Sequence, residues 1–205
     1  MADLNSARIK LAAMAKLALK MWQMSFKVFM EHDLDLLAET LKLDEGLNSA
    51  EKEITADLVA FGRAANEEEK AQAMVLADVV GDLELIGDYC KDILERVEIK
   101  IEEKLLFSEE GVKEYEELFH KTESALREVV FALDKGSFEM VQEVLRSQEH
   151  IDSLVDIYRA NHNRRMLDGV CSPFSCNMFL NMLDFTAAIY YHTKKISRNL
   201  LKLKK

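Results

Sequence analysis

Gly81-Asp82-Leu83-Glu84-Leu85-Ile86-Gly87-Asp88-Tyr89, residues 81–89, decides the fold. Its apolar residues continue the helical spacing seen on both sides of it, and the pattern runs unbroken from about residue 67 to residue 104. Four acids, Asp78, Asp82, Glu84 and Asp88, lie along that one predicted helix. Residues four apart share a helical face, so Asp78 with Asp82, and Glu84 with Asp88, each turn two carboxylates the same way. Like charges at that spacing repel, which asks for a compensating partner.

Outward from this stretch the same periodicity fills the chain. It predicts six helices, over 5–31, 34–64, 67–104, 109–134, 138–169 and 174–202. Asp33 and Ser108 fit as N-caps, with Glu109 and Glu110 supplying acids to the helix that Ser108 opens. Gly169 and Pro173 flank the last joint, one suited to ending a helix and the other to starting one. With one proline and seven glycines in 205 residues, the turn residues that sheets need at short intervals are missing. The fold class is all-α.

The halves repeat. At an offset of 104, Phe29–Asp35 aligns with Leu133–Glu139, Asp44 with Gln148 and Asn48 with Asp152. In the third helices the offset is 103, pairing Ile86 with Ile189, Tyr89 with His192 and Ile93 with Ile196. The expected architecture is two tandem three-helix bundles, 1–107 and 108–205.

The net charge of −10 argues against a nucleic-acid partner, which needs a basic face. Six basic residues and no acid stand between Lys194 and Lys205, a distribution that suits a helix C-terminus and would also suit an acidic surface. Cys90, Cys171 and Cys176 match no zinc or redox spacing and read as ordinary thiols in a reducing compartment. Lys10, Lys16 and Lys20 interrupt the N-terminal apolar residues, so no signal peptide is predicted, and the longest uncharged run, 169–183, is too short and polar for a membrane span. The expected location is cytoplasmic, with room for peripheral contact at the inner membrane face.

The second helix adds Asp44 and Asn48, another four-residue oxygen pair, followed by Glu51 and Glu53. If the second and third helices are antiparallel neighbours, these side chains meet Glu84 and Asp88 at one height. Such oxygens suit a hard cation; the competing reading is a solvated acidic face. Only Glu117 and His120 form a Glu-x-x-His pair, which counts against a ferritin-like di-iron centre. No phosphate loop or nucleophile elbow is present, and no catalytic site is predicted.

Residues 81–89 resemble the Asp-Leu-Glu-Arg-Ile-Gly-Asp-His signature of the PhoU family. The second half adds Glu149-His150-Ile151-Asp152, Tyr158-Arg159 and His162-Asn163-Arg164-Arg165, in an order similar to the PhoU-like domain at the cytoplasmic end of bacterial sodium/phosphate cotransporters. The resemblance implies a non-enzymatic accessory regulator of phosphate transport. It would contact a phosphate transporter or a sensor kinase at the membrane, and a homodimer is compatible with its exposed helix faces. It also implies metal clusters held by paired acidic motifs, one per repeat. Carried over, the first site is Asp44, Asn48, Glu84 and Asp88, with Asp82 beside them in the motif; Asn48 stands where the family has aspartate. The metal itself, divalent or ferric, is left open among Fe, Mn, Zn, Mg and Ca. In the second repeat Gln148, Ala187 and Tyr191 replace acids, leaving only a weak site at Glu149 and Asp152. The alternative is a metal-free helical scaffold for a membrane partner.

Overall fold

The computed structural model describes residues 3–137, 139–146 and 151–203. Seven helical segments account for them: α1 (Leu4–Glu31), α2 (Leu34–Gly62), α3 (Glu67–Glu102), α4 (Glu109–Lys135), α5 (Glu139–Arg146), α6 (Ile151–Leu167) and α7 (Pro173–Lys202). No strand occurs among the described residues. The helix predicted over 138–169 corresponds to α5 and α6, and residues 147–150 between them lie outside the described set.

The helix starts follow from local chemistry. Asp33 accepts from the Leu36 N–H and Ser108 from the Gly111 N–H, each satisfying a donor that the first turn leaves without a helical partner. Asn66 and Glu69 form a reciprocal capping box at the start of α3. Ser172 caps α7, with Pro173 in its first turn, where a missing N–H costs nothing.

The internal repeat is visible in a helix end. α1 closes on His32 in the left-handed conformation (φ 56°), its N–H donating to the Val28 carbonyl at 2.9 Å. One repeat later α4 closes on Gly136 (φ 65°), which donates to Ala132 at 2.9 Å. The same stop is built once with glycine, which adopts this conformation freely, and once with histidine, which does so at a cost.

One apolar core runs through both halves. α1, α2 and α3 pack on one another, α4 and α7 gather α5 and α6, and α3 lies along α7. At the α1–α4 contact Trp22 stacks on Phe119 (ring centroids 4.7 Å apart), Phe26 stacks on Phe119 (4.1 Å), and Phe29 meets Tyr115 edge-on (4.8 Å). Such aromatic pairs add about 0.5–1.5 kcal/mol each beyond the area they bury. Among the described residues no helix is long and apolar enough to cross a membrane.

Candidate metal centre

The acidic seam lies between α2 and α3, and a glycine sets its width. A Cβ built on Gly87 would meet Leu47 Cδ1 at 2.5 Å, closer than side chains pack. Leu47 is fully buried and lies between Asp44 and Asn48 on α2. The glycine of the motif therefore lets α2 approach α3 at the height where both helices carry their oxygen ligands. The short turn at 63–66 makes the two helices antiparallel.

Asp44 is 8% exposed, and its Oδ2 accepts from Asn48 Nδ2 at 3.1 Å. The Lys91 ammonium stands 3.8 Å from the same oxygen, at the rim of the seam. Across from them Glu84 and Asp88 are half-buried. Burial raises the Glu84 pKa above its ordinary value; the Asp88 charge and a hydrogen bond to Asp88 push it further, followed by the charges of Glu51 and Asp44. Asp92 extends the stripe, its pKa raised by burial and then by Glu95 and Asp88, against the opposing pull of Arg96 and Lys91. Two acids from each helix thus act on one another, with Lys91 as the cation nearest Asp44.

Glu51 belongs to this set, although the resemblance carried over only Asp44 and Asn48 from α2. Its position is legible in the sequence: it follows Asn48 by three residues and Asp44 by seven, which continues one helical stripe.

Asp82 is placed elsewhere. At about 100° per residue, Glu84 and Asp88 are separated by about 40° around the helix, while Asp82 is about 160° from Glu84. Asp82 faces α7 and is 1% exposed; its Oδ1 accepts from His192 Nδ1 at 2.9 Å and from Lys195 Nζ at 2.8 Å. Its Oδ2 is buried with no hydrogen-bond partner. The Asp82 hydrogen bond helps raise the Lys195 pKa. Asp82 therefore joins α3 to α7 and stands apart from Asp44, Glu84 and Asp88.

In the second repeat, Asp152 is exposed on α6, and Glu149 lies outside the described residues. Ala187 is half-buried and Tyr191 is 58% exposed, where the first repeat has Glu84 and Asp88.

The donors of the first seam fit a hard cation in kind: carboxylates from two helices, an amide oxygen on Asn48, and mutual repulsion that a cation would relieve. They are not assembled as a cage. Among the described residues no three His, Cys, Asp or Glu side chains are close enough together to hold a metal ion. Asn48 spends its amide N–H on Asp44, and Lys91 already supplies positive charge there.

These features define a class, an all-helical repeat protein whose first repeat carries a carboxylate seam between two antiparallel helices. Residues 11–97, which contain the whole seam, match the model of the PhoU domain family. The fold of the entire chain is that of solved PhoU proteins. It is similar to PhoU from Pseudomonas aeruginosa (TM-score 0.90, 18% identity, covering 98% of this chain and 96% of that one). It is also similar to the phosphate transport system regulatory protein PhoU from Streptococcus pneumoniae (TM-score 0.86, 14% identity, 98% and 95% covered). A PhoU-like phosphate regulatory protein from Shewanella oneidensis is a looser match, with a TM-score of 0.59 at 14% identity and 98% and 97% coverage. No curated protein matches the chain in sequence.

Proposed function

We propose that the chain is an accessory regulator of phosphate transport that works by binding a partner and catalyses no reaction. The observation that carries this reading is the PhoU domain match over residues 11–97, which encloses Asp44, Glu51, Glu84 and Asp88. The near full-length likeness to a phosphate transport regulator supports it. The partner is a phosphate transporter or a sensor kinase at the cytoplasmic face of the membrane. Deleting the gene tests this: phosphate uptake should rise in phosphate-replete cells and return to normal on complementation. Unchanged uptake would end the proposal.

Within that role, the α2–α3 seam is proposed to take one hard cation. Asp44, Glu51, Glu84 and Asp88 would hold it, with the Asn48 carbonyl as a neutral ligand, and the cation would supply charge neutralisation that pins α2 to α3. Metal analysis of protein purified without chelator, compared with Glu84→Ala/Asp88→Ala, reads this out. Equal metal content in both would remove the site. The reading of a metal-free scaffold is favoured by the spacing of the carboxylates and by Lys91 near Asp44. It requires that wild type carry no metal and that the double variant still regulate uptake.

A further inference from the structure

The connection between α6 and α7 places two of the three cysteines at the start of α7, one of them against a histidine with a fixed tautomer. Cys171 immediately precedes the α7 N-cap Ser172, and Cys176 lies in the second turn, counted from Pro173 at the first helical position. These are the positions whose side chains meet in a hydrophobic staple. Side chains at these two positions pack on one another across the N-cap, so the buried Cys176 lies within reach of Cys171.

His162 stands behind Cys171. It is fully buried and stacks on Phe179, with ring centroids 4.3 Å apart. Its Nδ1 faces Arg165 Nη2 at 3.2 Å, and its Nε2 faces Cys171 Sγ at 3.9 Å. A guanidinium can only donate, so Nδ1 must accept. Burial, reinforced by the Arg165 charge, lowers the His162 pKa to about 4, so the ring is neutral near pH 7. A neutral ring whose Nδ1 accepts carries its single proton on Nε2, and that N–H is aimed at the sulfur. Arg165 is held in place by Glu114, through Nη2 to Oε2 at 2.5 Å and Nη1 to Oε1 at 3.1 Å. Cys171 is half-exposed, whereas Cys176 and Cys90 are buried. The more accessible of the two sulfurs is thus the one that faces an N–H donor.

We propose that Cys171 and Cys176 form a peroxide-responsive redox pair, with Cys171 the thiol that reacts first and His162 the residue that positions its sulfur. The Cys171 thiolate attacks one oxygen of hydrogen peroxide. The S–O bond forms, the O–O bond breaks and hydroxide leaves, so the sulfur loses two electrons to the peroxide and becomes a sulfenic acid. The Cys176 sulfur then attacks Cys171, the S–S bond forms, and the sulfenic oxygen departs as water with the Cys176 proton. In sum, two thiols and one peroxide give one disulfide and two waters. The disulfide ties the α6–α7 connection, which carries the exposed Val170 between the exposed Leu167 and Phe174 at the flanking helix ends, to the body of α7. Transient disulfides of this kind are the form expected in a reducing compartment.

Peptide mass spectrometry of the full chain after brief treatment with equimolar hydrogen peroxide tests the pair. Trypsin releases Met166–Lys194 with both cysteines and Ala71–Lys91 with Cys90, so the second peptide is an internal control. In wild type the first peptide should lose two hydrogens and stop taking up alkylating reagent until reduced. Cys176→Ser should stop at a sulfenic acid on Cys171, trapped by dimedone, and Cys171→Ser should leave Cys176 reduced. His162→Phe, which keeps a ring against Phe179, should slow sulfenic acid formation at Cys171 about tenfold at neutral pH, and His162→Gln, which keeps an N–H donor, should recover part of that rate. Three results would overturn the proposal: peroxide-treated wild type with both thiols intact, disulfides only between chains, or sulfinic acid at Cys171 while Cys176 stays free. An unchanged rate in His162→Phe, or no recovery in His162→Gln, would remove the role given to the histidine.

Discussion

α3 and α7 hold equivalent places in the two repeats and have opposite electrostatic characters. Facing α2, α3 carries Glu84 and Asp88 with Gly87 between them; at the matching positions α7 carries Ala187, Tyr191 and Tyr190. Where α3 has Tyr89 and Asp92, α7 has His192 and Lys195, and these two residues reach across to Asp82 on α3. α7 thus carries no acidic pair at these positions and supplies hydrogen-bond donors and positive charge to its partner helix. An internal repeat keeps apolar phase and helix ends because the shared core demands them, whereas its polar faces diverge freely.

The contact between the two helices offers the most severe way to break this relation. Replacing both His192 and Lys195 by alanine takes both donors from the buried Asp82 carboxylate; because Lys195 is 44% exposed and solvent screens its charge, the cost is that of stranding a buried acceptor, about 1–3 kcal/mol. Denaturant unfolding should show a loss of that size. Adding Asp82→Asn to the double variant should recover part of it by removing the stranded charge. If the double variant is as stable as wild type, the contact contributes nothing to joining α3 and α7.

The width of the seam is the next target. Gly87→Ala places a methyl group against buried Leu47, and overpacking of this kind costs about 1–3 kcal/mol. Gly81, in the same motif, has open space where a Cβ would stand. Gly81→Ala should be neutral or stabilising by a few tenths of a kcal/mol, because alanine favours the helix. The pair separates close approach from helix propensity within seven residues of one helix.

How much of this is legible in the sequence follows from what each feature depends on. Helix positions rest on period and caps, both local, and the starts at Asp33 and Ser108 can be read directly. The pairing of Asp44 with Glu84 and Asp88 needs only the antiparallel assumption that a short turn supplies. Asp82 groups with them in the sequence because it lies in the same motif, although its angle around the helix already sets it apart. Its partners His192 and Lys195 lie 110 and 113 residues away, and nothing local announces them. The contact of Cys171 with His162 is hidden in the same way: the thiol spacing matches no standard motif, and the histidine arrives from another helix.

Acid titration sets His162 of the second repeat against Glu84 of the first, because their shifts carry opposite signs. His162 in the second repeat is depressed from 6.5 to about 4. As pH falls through that window the unfolded chain takes up a proton that the native state refuses, so stability declines, by up to about 1.4 kcal/mol per pH unit. His32, also depressed by burial and by Lys100, acts in the same direction. Glu84 has a raised pKa, so its contribution is complete below the ordinary glutamate range and is lost as pH rises through its folded value. His162→Phe should flatten the decline in urea-measured stability between pH 6.5 and 4, and an unaltered slope would show that His162 is not buried neutral.

The gentlest perturbation bears most directly on the seam. Glu84→Gln removes one charge from a cluster that includes Asp88, Glu51 and Asp44 while keeping the shape of the side chain. If those carboxylates repel one another near neutral pH, the variant should be more stable than wild type by about 0.2–0.5 kcal/mol, the usual size of a like-charge penalty on a helix. The gain should vanish near pH 4, where wild-type Glu84 is itself protonated, and should shrink in high salt if the repulsion is solvent-screened. A hard divalent cation should give wild type the same gain, and more of it with rising concentration, while leaving Glu84→Gln nearly unaffected. Glu84→Gln less stable than wild type at neutral pH would mean that Lys91 already neutralises the seam, leaving no electrostatic need for a metal. A gain that a cation reproduces only in wild type would tie the repulsion and the ligand to the same four carboxylates.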